Sequence, residues 1–423
     1  MNNFNQYISD FKKLISYKSV KAPKVLDKPF GEGVYGAFKF FLDLAKSFGF
    51  ETINYDNYMG EIIFGEGEEI GIIGHLDVVP EGEGWVTPPF TLTKIDGTYY
   101  ARGVSDDKSA CLLILYILKE LKDSGIKVNK KFRFFVGCDE ESGWADVDYF
   151  KTKSSFPEYG FSPDGDFPVS YAEKGINEIV FSIPKLKNFS SLTGGTVFNA
   201  VCGYATVKAE KEGICQELLD KHHLKLLDNG IIESVGKACH GSRPQCGINA
   251  LKALFCYFLD MGEDVKNVVD YLFLDKAEIS KIKTEQGYVT FSPDIAREES
   301  GRIYLHSDLR IPAPKKLEDI IPIFDSFNID YVANKKRDPM LVDKDGEFVQ
   351  TLLSAYNSVT GEKGLPVSQS GGTFAYVFDK GCAFGPEFPN KNSSIHEPNE
   401  CIEEKDLLLL YEIYKKAIFD LAK

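Results

Sequence analysis

The 423-residue sequence is poor in tryptophan (two), methionine (four) and histidine (six), and it has no apolar run suited to a membrane. Its longest such stretch, Ala110–Leu118, falls well short of the roughly 20 residues a bilayer-spanning helix needs. No secretory signal opens the chain. Met1–Ser19 reads instead as a charged amphipathic helix, with Phe4, Tyr7, Ile8, Phe11, Leu14 and Ile15 on one face. Positive charge is in deficit: 49 Lys and Arg stand against 63 Asp and Glu, a formal net charge of −14. That balance argues against nucleic acid or an anionic membrane as partner. The nine cysteines are odd in number and scattered, with no Cys-x-x-Cys pair. They suit reduced thiols in a cytoplasm better than a disulfide framework, and buried free cysteine behaves as a small hydrophobe.

What is present is more specific. Five short strings each end an apolar run with metal-binding or acid–base side chains: Gly74-His75-Leu76-Asp77, Ser105-Asp106-Asp107-Lys108, Asp139-Glu140-Glu141-Ser142-Gly143, Ser162-Pro163-Asp164 and Ile395-His396-Glu397. Each alone has an ordinary reading. Acidic residues open helices as caps, Ser-Pro-Asp-Gly is a turn, and a loop histidine is common. Jointly they supply two imidazoles and several carboxylates, a ligand set for a pair of divalent metals with a spare carboxylate as base. A hydrolytic metalloenzyme is the leading reading. His75 and Asp77, two apart in extended chain, share a face, so Asp77 is expected to hold the ring nitrogen that does not face the metal. Gly31-Glu32-Gly33-Val34-Tyr35-Gly36 spells a dinucleotide fingerprint, but no apolar strand precedes it, and it reads as a glycine-rich helix entry.

Strands and helices alternate through the first half: helix Val34–Phe48, strand Glu69–Gly74, helix Asp107–Lys122, strand Lys131–Cys138 and strand Tyr159–Ser162. This predicts an α/β sheet with candidate ligands at the strand ends, where open α/β sheets bind ligands. A new pattern begins near Lys174-Gly175. Strand Asn177–Ile183, strand Val235–His240, helix Ile248–Leu259, strand Arg302–Leu309 and helix Leu317–Phe327 suggest a β/α/β unit with insertions. Beyond Pro339 come helix Glu347–Ser358, helix Thr373–Phe378 and a closing helix Glu403–Leu421. Because His396 must rejoin the first half, the expectation is one discontinuous domain, residues 1–174 and 342–423, interrupted by an inserted domain, 175–341.

The strings resemble the dinuclear metallopeptidase family that includes aminoacylase, carnosinase and carboxypeptidase G. Gly74–Pro80 is similar to its first metal motif, Arg102–Lys108 to its bridging-aspartate motif, and Asp139–Gly143 to its base-plus-ligand motif. His75–Trp85, Asp139–Trp144, Gly160–Val169 and His240–Ala250 look closest to peptidase-V-like bacterial dipeptidases. The resemblance implies a mixed-sheet, zinc-peptidase-like catalytic domain with helices on both faces and an inserted α+β lid. It implies two divalent metal ions, zinc foremost with manganese or cobalt as alternatives. Asp106 bridges them, His75 and Asp164 complete one site, and Glu141 and His396 complete the other. A metal-bridging hydroxide would attack and Glu140 would act as general base, with Asp77 among the catalytic residues. His240 would aid the oxyanion. Asn199, Arg310, Gly372 and Thr373 would bind substrate. The implied substrate is a dipeptide or small peptide-like molecule; a deacylase of N-acyl amino acids is the alternative, and an inert metal-binding protein a more distant one. The family also implies a cis peptide at Asp106–Asp107, and the lid's length implies a monomer that supplies its own His240.

Overall fold

The computed structural model describes residues 3–391 and 393–423. Met1 and Asn2, at the start of the first predicted helix, lie outside the described residues. By internal contacts the chain forms two units: 1–171 with 342–369 and 373–423, and 172–341 with 370–372.

The first unit is built on a mixed sheet. In chain order its main elements are α1 (Phe4–Ile15), α2 (Glu32–Ser47), β1 (Glu51–Tyr55), β2 (Met59–Gly65), β3 (Glu68–His75), α3 (Lys108–Asp123), β4 (Lys130–Gly137), α4 (Ala145–Lys151), β5 (Tyr159–Ser162), α5 (Glu347–Thr360), β6 (Lys380–Ala383) and α6 (Glu404–Leu421). The strand order is β1-β2-β4-β3-β5-β6. β3 runs parallel to β4 and β5, and β6 parallel to β5, so their carboxyl ends lie along one edge. β1 and β2 add antiparallel strands at the far side.

Alternation along the strands divides the two faces. Ile70, Ile72, Phe132, Phe134 and Val136 bury against α1, α2, α3, α5 and α6. Ile73, Phe135 and Met59 point the other way, onto Val147 and Phe150 of α4 and onto Phe374 and Phe378. Helices therefore cover both faces, as the family resemblance implies. The α3 stretch Ala110–Leu118 is buried nearly throughout, which explains a run too apolar for a surface helix. Gly71 and Gly160 sit opposite each other on β3 and β5, and a Cβ at either would meet the Phe378 ring at 2.5 Å or less. The glycines that spell a dinucleotide fingerprint serve packing as well: a Cβ at Gly33 would lie 1.8 Å from the Lys18 carbonyl oxygen.

The second unit carries an eight-stranded sheet whose paired strands are all antiparallel, not a β/α/β unit. Ile179, Phe181, Leu305 and Leu309 face the helices Ala250–Asp260 and Leu317–Asp325. Glu178, His306, Asp308 and Arg310 fall on the opposite face. The predicted strand Val235–His240 is displaced: the strand is Ile231–Val235, and it stops where its partner begins, with Val235 opposite Tyr204. Helix Thr373–Phe378 contracts to one 3₁₀ turn, Phe374–Val377, capped by the Thr373 hydroxyl accepting from the Ala375 amide. Among the described residues no helix is long and apolar enough to cross a membrane.

Candidate metal centre

Three parallel strands deliver three of the predicted ligand groups. His75 is the last residue of β3, Glu140 and Glu141 follow β4, and Asp164 lies two residues past β5. Asp106 precedes α3, and its peptide bond to Asp107 is cis, as the family resemblance implies. His396 returns on a late loop with φ of 64°.

The side chains converge. Nε2 of His75 lies 2.9 Å from Oδ1 of Asp106 and 3.8 Å from Oδ2 of Asp164. Nε2 of His396 lies 2.9 Å from the other Asp106 oxygen, Oδ2, and 3.0 Å from Oε2 of Glu141. Asp106 thus turns one oxygen toward each imidazole. Donor atoms of His75, Asp106 and Glu141 all lie within 4.8 Å of one another, and so do those of His75, Glu140 and Asp164. The five predicted ligands and Glu140 form one cluster inside the first unit.

Its electrostatics are those of an acidic pocket. Burial raises the Glu141 carboxyl, and the neighbouring Asp106 raises it further. Asp164 is pushed well above the carboxylate range by burial and then by Asp106. Burial opposes a charge on His396, but Glu141 and Asp106 outweigh it and push the ring up to about 12. Burial would raise Asp106 too, yet hydrogen bonds with His396 and His75 hold it below its ordinary value. Crowded carboxylates with imidazoles drawn toward protonation are what a cation site becomes when protons stand in for cations. Mixed imidazole and carboxylate donors suit zinc, manganese and cobalt alike, so the residues present fit a pair of divalent ions.

Asp77 does face the second ring nitrogen of His75, but mainly through its backbone. The Nδ1 of His75 bonds the backbone oxygen of Asp77 at 3.0 Å, while the nearer carboxylate oxygen is 3.6 Å away, beyond a hydrogen bond. The Asp77 carboxylate instead accepts from the Glu140 amide at 3.1 Å and the Glu141 amide at 3.2 Å. It therefore orients the loop that carries Glu140 and Glu141. Two buried acids missed by sequence reasoning brace the same loop. Asp146 accepts from the amides of Cys138 and Asp139 at 2.6 and 3.0 Å, and Asp139 accepts from Ala145 and pairs with Lys21. Burial, then Asp77, pushes Asp146 up to about 7. The one sequence signal was a density of acids at 139–148 greater than two metals require.

Within the second unit, Asn199, His240 and Arg310 are brought together. The Gly241 amide donates to the Asn199 carbonyl at 2.7 Å, and a Cβ at Gly241 would meet Oδ2 of Asp308 at 2.4 Å. Both Asp308 oxygens accept from Nε of Arg310, at 2.7 and 2.9 Å. Arg310 is itself buried, 3% exposed. His240 Nδ1 pairs with the Ser242 hydroxyl at 2.6 Å. Gly372 falls with the second unit and Thr373 with the first. Of the remaining histidines, His306 pairs with Glu178 as a structural group, and His222 is half-buried against Asp260 rather than freely exposed.

Residues 71–420 match the model of peptidase family M20/M25/M40. The chain belongs to this family. It is 34% identical to YtjP of Bacillus subtilis (strain 168), covering 94% of this chain and 92% of that one. It is 33% identical to the Beta-Ala-Xaa dipeptidase of Lactobacillus delbrueckii subsp. lactis, over 93% of this chain and 91% of the relative. Among solved structures, a tripeptidase from Staphylococcus aureus superposes with a TM-score of 0.63 at 13% identity, covering 99% of each chain. Human carnosine dipeptidase 1 gives 0.60 at 12% identity, covering 99% of this chain and 96% of that one. At these identities the two structures establish the fold, and the sequence relatives establish the family. The protein is a metallopeptidase, and divalent metal ions are implied by its membership.

Proposed function

We propose that this metallopeptidase hydrolyses the peptide bond of dipeptides, using two divalent cations held by His75, Asp106, Glu141, Asp164 and His396, with zinc the first choice and manganese or cobalt the alternatives. The observation that carries the reading is the Asp106 carboxylate, which turns one oxygen toward His75 and the other toward His396 at equal distances. When bound, such a pair supplies Lewis acidity for the scissile carbonyl and a lowered pKa for the attacking water.

The chain's own residues do the rest. Glu140 takes the water's proton on a carboxylate oxygen and passes it to the leaving amine. Asp77 holds the Glu140 and Glu141 amides and so fixes where both carboxylates point. His240 donates from its ring to the oxygen that develops negative charge. Asn199 and the backbone at Gly372 and Thr373 orient the substrate. Arg310, held at Nε by Asp308, offers its terminal nitrogens to the substrate's free carboxylate as a planar fork. We read the protein as a cytoplasmic monomer that supplies His240 to its own site. All nine cysteines are free, in keeping with a reducing compartment.

A library of dipeptides, assayed beside N-acetyl and N-succinyl amino acids, tests the reading. Dipeptide cleavage is expected to vanish on chelation and return on adding back a single metal. Preference for the N-acyl amino acids would replace it with the deacylase alternative. Arg310→Met is expected to raise KM for dipeptides about tenfold to a hundredfold, the equivalent of one lost charge-assisted contact of about 1.5–3 kcal/mol. A dipeptide with an amidated C-terminus should show little of that change. Equal losses on both substrates would remove Arg310 from carboxylate recognition.

A further inference from the structure

Glu400 lies four residues past His396 and is fully buried. Its carboxylate gathers a ring of donors from one short loop. Oε1 accepts from the amides of Ser105 at 2.8 Å, Gly103 at 3.1 Å and Asp106 at 3.2 Å. Oε2 accepts from the Gly103 amide at 3.0 Å and from Nη1 of Arg102 at 2.8 Å. Gly103, with φ of 88°, makes the turn that aims these amides at one carboxylate, and a Cβ there would press on Lys108. The contact is reciprocal. The Ala101 amide donates to the Glu400 backbone oxygen, and the Ser105 hydroxyl to that of Cys401 at 3.1 Å.

Arg102, 1% exposed, extends the assembly to a third loop. Its Nη2 reaches the backbone oxygens of Pro80 and Glu81, each at 3.3 Å, and its guanidinium lies over the Trp85 ring at 5.4 Å. Those residues lie three to eight positions past Asp77, on the segment that leaves His75. One buried ion pair thus ties together the loops that carry His75, Asp106 and His396, and all of it lies within the first unit.

We infer that Glu400, with Arg102, is a positioning residue for the metal centre, setting the register between the bridging Asp106 and the His396 loop; this rests on the reading of that cluster as a metal site. It need touch neither metal nor substrate. It acts by orienting a ligand's backbone, as the partners behind metal ligands do, where loss commonly costs 10–100-fold in affinity. A surface acid would not serve. The pair is buried and charge-assisted, and the Glu400 carboxylate accepts from Arg102 and three backbone amides, so its geometry is stiff.

Two variants of the full-length protein test this. Glu400→Gln leaves one acceptor oxygen where two were used. Glu400→Asp keeps the charge but withdraws both oxygens by one methylene. Metal affinity is read by competition with a chromophoric chelator, using zinc and cobalt, alongside the cobalt absorption spectrum and the melting temperature of the metal-free protein. Each variant is expected to bind metal at least about tenfold more weakly, with an altered cobalt spectrum, while the metal-free protein still melts cooperatively. A loss smaller than tenfold in either folded variant overturns the inference. So does failure of both variants to fold without metal, because the pair would then carry the fold rather than the centre. Wild-type protein that binds no metal pair would sink the metal-site reading itself. Wild-type protein that binds the pair without cleaving dipeptides would leave the positioning role standing.

Discussion

Glu140→Gln is expected to lower kcat by about 10²–10⁴ while leaving metal content unchanged. The substitution keeps volume and shape and removes the one property a proton shuttle needs, an oxygen that can accept a proton and give it back. The backbone around it should not move. The Glu140 amide is held by Asp77, and its carbonyl accepts from the Trp144 indole N–H at 3.0 Å. Trp144 is itself packed against Phe374. The side chain thus hangs from a braced loop, and an amide in its place meets the same surroundings. A carboxylate oxygen of Glu140 also lies within 4.8 Å of donor atoms of His75 and Asp164, which makes ligation the competing role. The two roles separate cleanly. Loss of rate with full metal content identifies a base, and loss of metal identifies a ligand. Activity within about tenfold of wild type would require another base. Steady-state kinetics on a cleaved dipeptide, with elemental analysis of the same preparation, decide between these.

The parts of this centre that sequence makes legible are those fixed by short-range pattern. β3, β4 and β5 announce themselves as apolar runs, and a polar group directly after such a run must lie at the strand's end. His75, Glu140, Glu141 and Asp164 could therefore be placed before any coordinates. Asp106 and His396 stand out as ligand-type residues in such strings too, but the bridging role of one and the second-site role of the other rest on the family resemblance, since nothing local says that residue 396 returns to residue 75. What sequence hides is how loops fold over one another. Asp77 looked like a partner for the His75 ring because alternation puts both on one face. In three dimensions the 140–141 backbone lies closer and takes its carboxylate. Asp146 and Glu400 are ordinary acids in sequence, and their roles exist only where buried amides converge on them. The Val235–His240 strand failed for a related reason. Gly236 packs onto the Ile248 backbone, where a Cβ would lie 2.0 Å from the carbonyl oxygen, so the chain leaves the sheet there. That departure puts Cys239-His240-Gly241 on irregular backbone beside Asn199.

Asp106→Asn is expected to abolish metal-dependent stabilisation together with activity. The amide nearly matches the carboxylate in size, but it has one acceptor oxygen and no charge, so it cannot turn an anionic oxygen toward both imidazoles. Either His75 or His396, each now 2.9 Å from a carboxylate oxygen, would face an amide nitrogen in its place. Metal present at a thousandfold over its Kd stabilises a folded protein by about 4.1 kcal/mol when the unfolded chain does not bind it. Wild-type protein should therefore melt markedly higher with zinc, manganese or cobalt than after chelation, and the variant should melt at nearly the same temperature in both. The metal-free comparison sets two effects against each other. Asp106 raises the pKa of both Glu141 and Asp164, so neutralising it relieves repulsion, but it also removes the charged partner of His75 and His396, whose hydrogen bonds hold Asp106 below its ordinary pKa. Because that attraction outweighs burial, metal-free Asp106→Asn is expected to melt no higher than metal-free wild type at neutral pH, and it is the gain on adding metal that reports the bridge. Thermal melts of both proteins, with and without saturating metal, make the four-way comparison. A variant that gains as much from metal as wild type does would remove Asp106 as the bridge, and with it the observation on which the two-cation centre rests.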